Sequence, residues 1–205
     1  MEKENTLNKT LYHVTEKVDI IQTISIALIA FFIPTFLAQL IKVIFGAQSI
    51  ITSHSQIIVG SLVNTVLIIS AIHIKGWKKI VGIITMPSIS TIVSGYIFGT
   101  ASVYMVYMIP AIWLGNFALI YAYKSILLGK NKNYFIASVV GIMAKVLIIF
   151  ASFEILNIFK IFPAKMVDNL QNAMGMTQLI TATIGMIIVF VIYKVEKRKV
   201  TKESK

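Results

Sequence analysis

The sequence predicts an all-α integral membrane protein, a bundle of six transmembrane helices with both termini in the cytoplasm. Three observations predict it. Of the 205 residues, 57% are hydrophobic and only 13% charged, about half the charge of an ordinary soluble domain. The apolar residues gather into six runs, each close to the ~20 residues that a helix needs to cross a bilayer. The basic residues then fall on one side of those runs. The N-terminal stretch, Lys75–Lys79, Lys124–Asn133 and the C-terminal stretch carry three, three, three and six Lys or Arg, against none, none and two in the alternate connections. Cytoplasmic connections carry the excess of Lys and Arg, which places both termini inside. No stretch has the composition of a separate soluble domain. The chain divides into a tail at 1–19, a membrane domain at 20–193 and a basic tail at 194–205.

The elements follow in order. In Met1–Asp19, Leu7, Leu11, Val14 and Val18 recur at the spacing of an interfacial amphipathic helix, and a solvated tail fits equally well. The first span is Ile20–Phe45, with a kink expected at Pro34. Its Thr23, Ala27, Ala30, Pro34 and Ala38 form a small-residue stripe suited to close helix packing. A polar loop, Gly46–Ser55, leads to the second span, Gln56–Ile74, which carries Ser61 and Asn64 on one face. Lys75-Gly76-Trp77-Lys78-Lys79 is a basic loop with an interfacial tryptophan. The third span, Ile80–Gly99, is interrupted at Pro87 and carries Ser88, Thr91 and Gly95 at i, i+3 and i+7. The fourth, Val103–Tyr123, holds Pro110, Trp113, Gly115 and Asn116, and Lys124–Asn133 is a second basic loop. The fifth, Tyr134–Ile158, has Lys145 near its middle. Phe159–Gly175 is amphipathic, with Met166, Leu170 and Met174 on one side and Pro163 and Gly175 at its ends. The sixth span, Met176–Tyr193, carries Gln178, Thr181 and Gly185 at i, i+3 and i+7.

Several chemistries lack their residues. Cysteine is absent, which excludes disulfides and thiolate catalysis. No H-E-x-x-H, phosphate-binding loop or pair of mid-membrane histidines occurs, so zinc proteolysis, autonomous ATP hydrolysis and haem ligation have no support. A net charge of +11 is explained by topology rather than by nucleic acid, since the lysines flank the spans. No enzyme, cofactor or metal is expected.

Lys145 is the sharpest candidate. An amine near the bilayer centre costs on the order of 3 kcal/mol and rarely faces lipid. Ser138, Gly141, Lys145 and Ser152 share one narrow helical face, which must point into protein or a wet cavity. Glu154, nine residues on, projects from the opposite side and cannot pair with Lys145 within this helix. Lys145 is then either an anion-binding or gating charge or a structural amine paired inside the bundle. Asn116 and Asn64, near mid-membrane, are more often hydrogen-bonding glue between helices than ligand contacts. Trp113, one turn from Asn116, floors a pocket or packs on a neighbour. Glu154 completes a site or snorkels to the interface. Asn172, in the outer segment with Asp168, Asn169 and Gln171, belongs to a lid or to a solvated helix. Gln178 completes the tentative set.

The layout resembles the substrate-binding S components of energy-coupling factor transporters. The resemblance covers nearly the whole chain. It lies in about 200 residues forming six spans with both ends inside, and in the small-residue first span ending Phe45-Gly46-Ala47-Gln48. It also lies in Tyr107-Met108-Ile109-Pro110-Ala111, Gly141-Ile142-Met143-Ala144-Lys145, Phe162-Pro163-Ala164 and Met176-Thr177-Gln178-Leu179-Ile180-Thr181-Ala182. It implies capture of a small solute, a vitamin or metabolite, in the bacterial cytoplasmic membrane. Energy would come from a separate coupling transmembrane subunit and two ABC-type ATPases. The family often docks on its coupling subunit through Ala-x-x-x-Ala in the first span. Here Ala27, Ala30 and Ala38 stand in that place without a strict match. The rival reading is a non-transporting membrane subunit or scaffold, whose polar stripes only hold helices together.

Overall fold

The structure, a computed structural model, describes residues 16–94 and 102–203. Among these every regular element is a helix. Helix α1 (Glu16–Phe32) passes through a π-helical turn, Ile33–Leu37, into α2 (Ala38–Phe45). A short helix α3 (Ile50–Ser53) leads to α4 (Ser55–His73) and α5 (Trp77–Ser94). Helix α6 (Ser102–Ala122) continues as a π-helical stretch, Tyr123–Gly129, before α7 (Tyr134–Ile158), α8 (Ala164–Met174) and α9 (Met176–Glu203).

Among the described residues, five stretches are long and apolar enough to cross a membrane: Ile20–Phe45, Ser55–His73, Val103–Gly129, Tyr134–Ile158 and Ala164–Glu196. Large apolar side chains such as Ile24, Phe36, Val43, Val139, Leu147 and Val191 are exposed along them, the surface expected of helices solvated by lipid tails. The third expected run is helical from Trp77 to Ser94, beginning on Lys78 and Lys79. The rest of that run, with Gly95, lies outside the described residues, as does the expected amphipathic leader at 1–15.

Proline shapes α1 as expected, through a wider turn rather than a break. Pro34 lacks an N–H, so the ladder loosens into the π-turn. Thr35 Oγ1 donates to Phe31 O at 3.1 Å and is 2.6 Å from Ser90 Oγ on α5, which ties the irregular turn to its neighbour. Several boundaries depart from the sequence reading, three of them for a local reason. The loop expected at Gly46–Ser55 contains α3, because the Ser49 side chain caps it by accepting from Thr52 N at 3.1 Å. The loop expected from Lys124 begins only after Gly129, since Tyr123 and Leu127 bury into the core and hold the chain helical. Helix α9 runs past Tyr193 into the basic tail, which has no proline or glycine to stop it; there Glu196 lies 3.4 Å from His73 Nε2.

The bundle has two packed cores. One, around Leu67, Ile68, Ile83, Leu119, Tyr123 and Ala137, fills the end nearer the lysine-rich connections. The other, around Met105, Met108, Ile149, Phe153, Phe162 and Met174, lies under α8 at the opposite end. Small residues let the backbones approach. A Cβ on Gly185 would lie 2.8 Å from Asn64 Cβ and 2.9 Å from Thr65 N, so α9 sits directly on α4. A Cβ on Gly115 would lie 2.8 Å from Ile149 Cγ1 and 3.1 Å from Lys145 O, which sets α6 equally close to α7.

At the lysine-rich end, Trp77 packs 5.1 Å from Phe117 and 6.0 Å from Tyr121, between ring centroids. Lys124 Nζ closes this corner, donating to Ile74 O at 2.6 Å. These partly exposed aromatics have the placement of an interfacial belt.

Candidate functional site

The close approach of α4 and α9 positions the central polar group. Asn64 is 2% exposed. Its Nδ2 donates to Gly60 O at 2.9 Å and to Thr181 Oγ1 at 3.2 Å. Both amide donors are thereby committed, and Oδ1 is left to accept. Lys145, 3% exposed on α7, reaches across and donates from Nζ to that oxygen at 2.5 Å. Three helices thus meet at one amine. Among the described residues no carboxylate pairs with it. Glu154 accepts from Gln171 Nε2 at 3.0 Å, Glu196 faces His73, and Asp168 is exposed on α8.

Lys145 and Asn64 line a cavity of about 100 Å³. Each group on its wall comes from a definite half of its helix. Gln56 to Asn64 occupy the first half of α4, Pro87 to Ile92 the second half of α5, and Met105 to Asn116 the first part of α6. Met174 and Gln178 flank the α8–α9 junction. The cavity therefore runs from mid-bundle toward the end that carries α3 and α8, away from the lysine-rich connections. Its walls are largely apolar, with Val59, Val63, Ile92, Met105, Ile109 and Ile112 among them. Asn116 also lines it and is 2% exposed, and its Oδ1 has no hydrogen-bond partner.

Of the six residues that the sequence singled out, Lys145, Asn116 and Gln178 come together on this wall. Gln178 Nε2 donates to Ala173 O at 3.2 Å, pinning the α8–α9 corner. Trp113 does not reach the cavity: it packs against the lysine-side core, with Nε1 buried and unpartnered. Glu154 and Asn172 belong elsewhere. Glu154 is held by Gln171, and Asn172 lies in an open groove of about 630 Å³ with Asp168, Gly175 and Phe150, between α7, α8 and α9. The face opposite Lys145 on α7 is the physical reason for Glu154's exclusion.

Asn64 completes the site through its bond to Lys145, and the sequence signal for it was the polar face it shares with Ser61. Ser88 and Thr91 also line the cavity, and their spacing of three on α5 was the corresponding signal. The first-span stripe has a different use. Ala30 and Ala38 are 0% and 4% exposed, Pro34 is buried, and Ala27 packs against the same core. Their small size is spent on packing within the chain, so Ala30 and Ala38 present no surface to a coupling subunit.

No family model, curated protein or solved structure matches the chain.

Proposed function

We propose that this chain is the solute-capturing membrane subunit of an uptake system, holding a small molecule in the cavity at Lys145. One observation carries the reading. A lysine buried at the middle of a membrane bundle faces a cavity and has a neutral amide, not a carboxylate, as its protein partner. Intramembrane ionisable groups are costly, and they mark substrate or ion pathways where no fixed counter-charge explains them. The resemblance in layout supports a bacterial cytoplasmic membrane, and the lysine asymmetry supports six spans with both termini inside, so the cavity opens outward. That is the direction a capture subunit needs. The layout's resemblance to energy-coupling factor S components supports a division of labour. A separate coupling transmembrane subunit and two ABC-type ATPases supply the energy, since this sequence has no phosphate-binding loop. The docking surface then lies on residues other than Ala30 and Ala38.

The scaffold reading has one observation in its favour: the Lys145–Asn64–Thr181 chain joins three helices and would hold them without any ligand. The two readings differ over water. Single cysteines at Ser88 and Ile109, on the cavity wall, should react with a small membrane-impermeant thiol reagent added outside intact cells. A cysteine at Leu67, fully buried in the lysine-side core, should not. Unreactive Ser88 and Ile109 cysteines, or reaction only from the cytoplasmic side, would reject outward capture and favour the scaffold.

A further inference from the structure

Resting on that capture reading, we infer the class of solute: the cavity takes a short organic acid. Its carboxylate sits on Lys145 and its carbon chain lies along the apolar wall. A lysine ammonium has three N–H donors. One is given to Asn64 Oδ1, and the other two have no partner among the described residues. Asn64 cannot turn to supply more, because its Nδ2 is held by Gly60 O and Thr181 Oγ1. The amine is therefore aimed by a fixed acceptor, with donors left over beside an open cavity. An ammonium in such a place is best satisfied by an anionic acceptor, whose charge-assisted bonds are about twice as strong as neutral ones.

The other groups narrow the anion. No second Lys or Arg lines the cavity, so a multiply charged phosphate would keep most of its charge uncompensated. A cation would face the lysine directly. Asn116, buried on the same wall with an unpartnered Oδ1, offers a second polar contact. Rotation of its amide presents either a donor or an acceptor, to a carboxylate oxygen or to a hydroxyl beside it. Beyond these groups Gln56, Ser88, Thr91 and Gln178 add polar atoms, and Val59, Met105, Ile109 and Ile112 form an apolar part of the wall, which suits an aliphatic chain. The volume of about 100 Å³ is well above what a single water needs, which leaves room for a small solute.

The test is a thermal melt of the purified full-length chain in detergent and chloride-free buffer, titrated with sodium butyrate and sodium hexanoate. Butyramide, hexanamide, butylammonium and sodium chloride are run beside them. The acids should raise the melting temperature in a saturable way, and the amides, the amine and chloride should not. Lys145→Met should weaken acid binding roughly ten- to a hundredfold, the range for losing a hydrogen bond to a charged group. Asn116→Leu, which leaves the lysine in place, should weaken it severalfold and guards against misfolding of the first variant. If amides bind as well as acids, in wild type and Lys145→Met alike, the acid is wrong and capture stands. If chloride alone gives the shift, the site is a halide site and the organic acid is rejected. If no probe changes the melt, the acid assignment fails. If a cavity cysteine is also unreactive from outside, capture fails with it.

Discussion

Gly185→Ala should be among the most damaging single-methyl additions to this fold, and the structure says why. At Gly185 the added atom would lie 2.8 Å from Asn64 Cβ, 2.9 Å from Thr65 N and 3.0 Å from Ser61 O. Two of these are backbone atoms of α4, so no side-chain rotation relieves the clash and α9 must move away as a body. Overpacking of this kind costs about 1–3 kcal/mol. For a chain of this size that is a fall of roughly 2–12 °C in melting temperature. Thr181 lies one turn before Gly185, so the same movement stretches its 3.2 Å bond from Asn64 and loosens the aim of Lys145. Gly60→Ala makes an internal comparison: its Cβ would meet Thr181 Cγ2 at 2.9 Å and Thr181 Cβ at 3.2 Å, so a rotamer change eases the first contact, a shift of a few tenths of an ångström eases the second, and no backbone atom is struck. Gly82→Ala is the control, with nothing within 4 Å and the better helix former gained. The expected order of melting temperatures is Gly82→Ala at or above wild type, then Gly60→Ala, then Gly185→Ala. A Gly185→Ala protein as stable as wild type would show that α4 and α9 do not pack as described.

Other outcomes follow from the same geometry. Cysteines at Gln48 and Asn172, both exposed, should label with an impermeant reagent from outside cells, and those at Lys78 and Lys130 should not. Outside labelling of Lys78→Cys would invert the orientation. Ligand-free Lys145→Met should melt within about 5 °C of wild type, because losing the bond to Asn64 is offset by removing a buried amine. A loss of 3–5 kcal/mol, the cost of breaking a buried ion pair, would mean that a carboxylate holds the lysine. Reconstituted alone in liposomes, the chain should show no ATP-driven uptake; such uptake would reject a separate energy source.

What the sequence made legible was what depends on local period. The face shared by Ser138, Gly141 and Lys145 is buried as the 3.6-residue repeat requires, although Ser152, on the same face, is only half-buried. The stripes Ser61–Asn64 and Gln178–Thr181–Gly185 turn out to face each other across the α4–α9 contact. A polar stripe on one apolar helix asks for a partner, and a small residue one turn away allows that partner near. What stayed hidden depends on which helix meets which. Asn64 and Lys145 are 81 positions apart, and nothing local to either predicts their bond. The same holds for the alanine stripe, whose small side chains suit an internal or an external neighbour equally. Only the position of α1 against the rest of the bundle decides for the internal one.

The division also explains why Trp113 and Asn116, one turn apart on α6, part company. Their spacing of three leaves them about 60° apart around the helix axis, and that angle crosses the boundary between packed core and cavity. Asn116 falls on the cavity side, where an unpartnered amide has space for a ligand to satisfy it. Trp113 falls against the lysine-side core, where its unpartnered Nε1 has no such space. The two buried, unsatisfied groups thus have opposite meanings. A ligand can relieve the first, so Asn116 should govern binding more than stability. Trp113→Phe removes an unpaired donor from apolar surroundings while keeping an aromatic body there, so it should leave binding untouched and cost little stability. A loss of acid binding in Trp113→Phe equal to that in Asn116→Leu would place the cavity wall about 60° further around α6 than this packing allows.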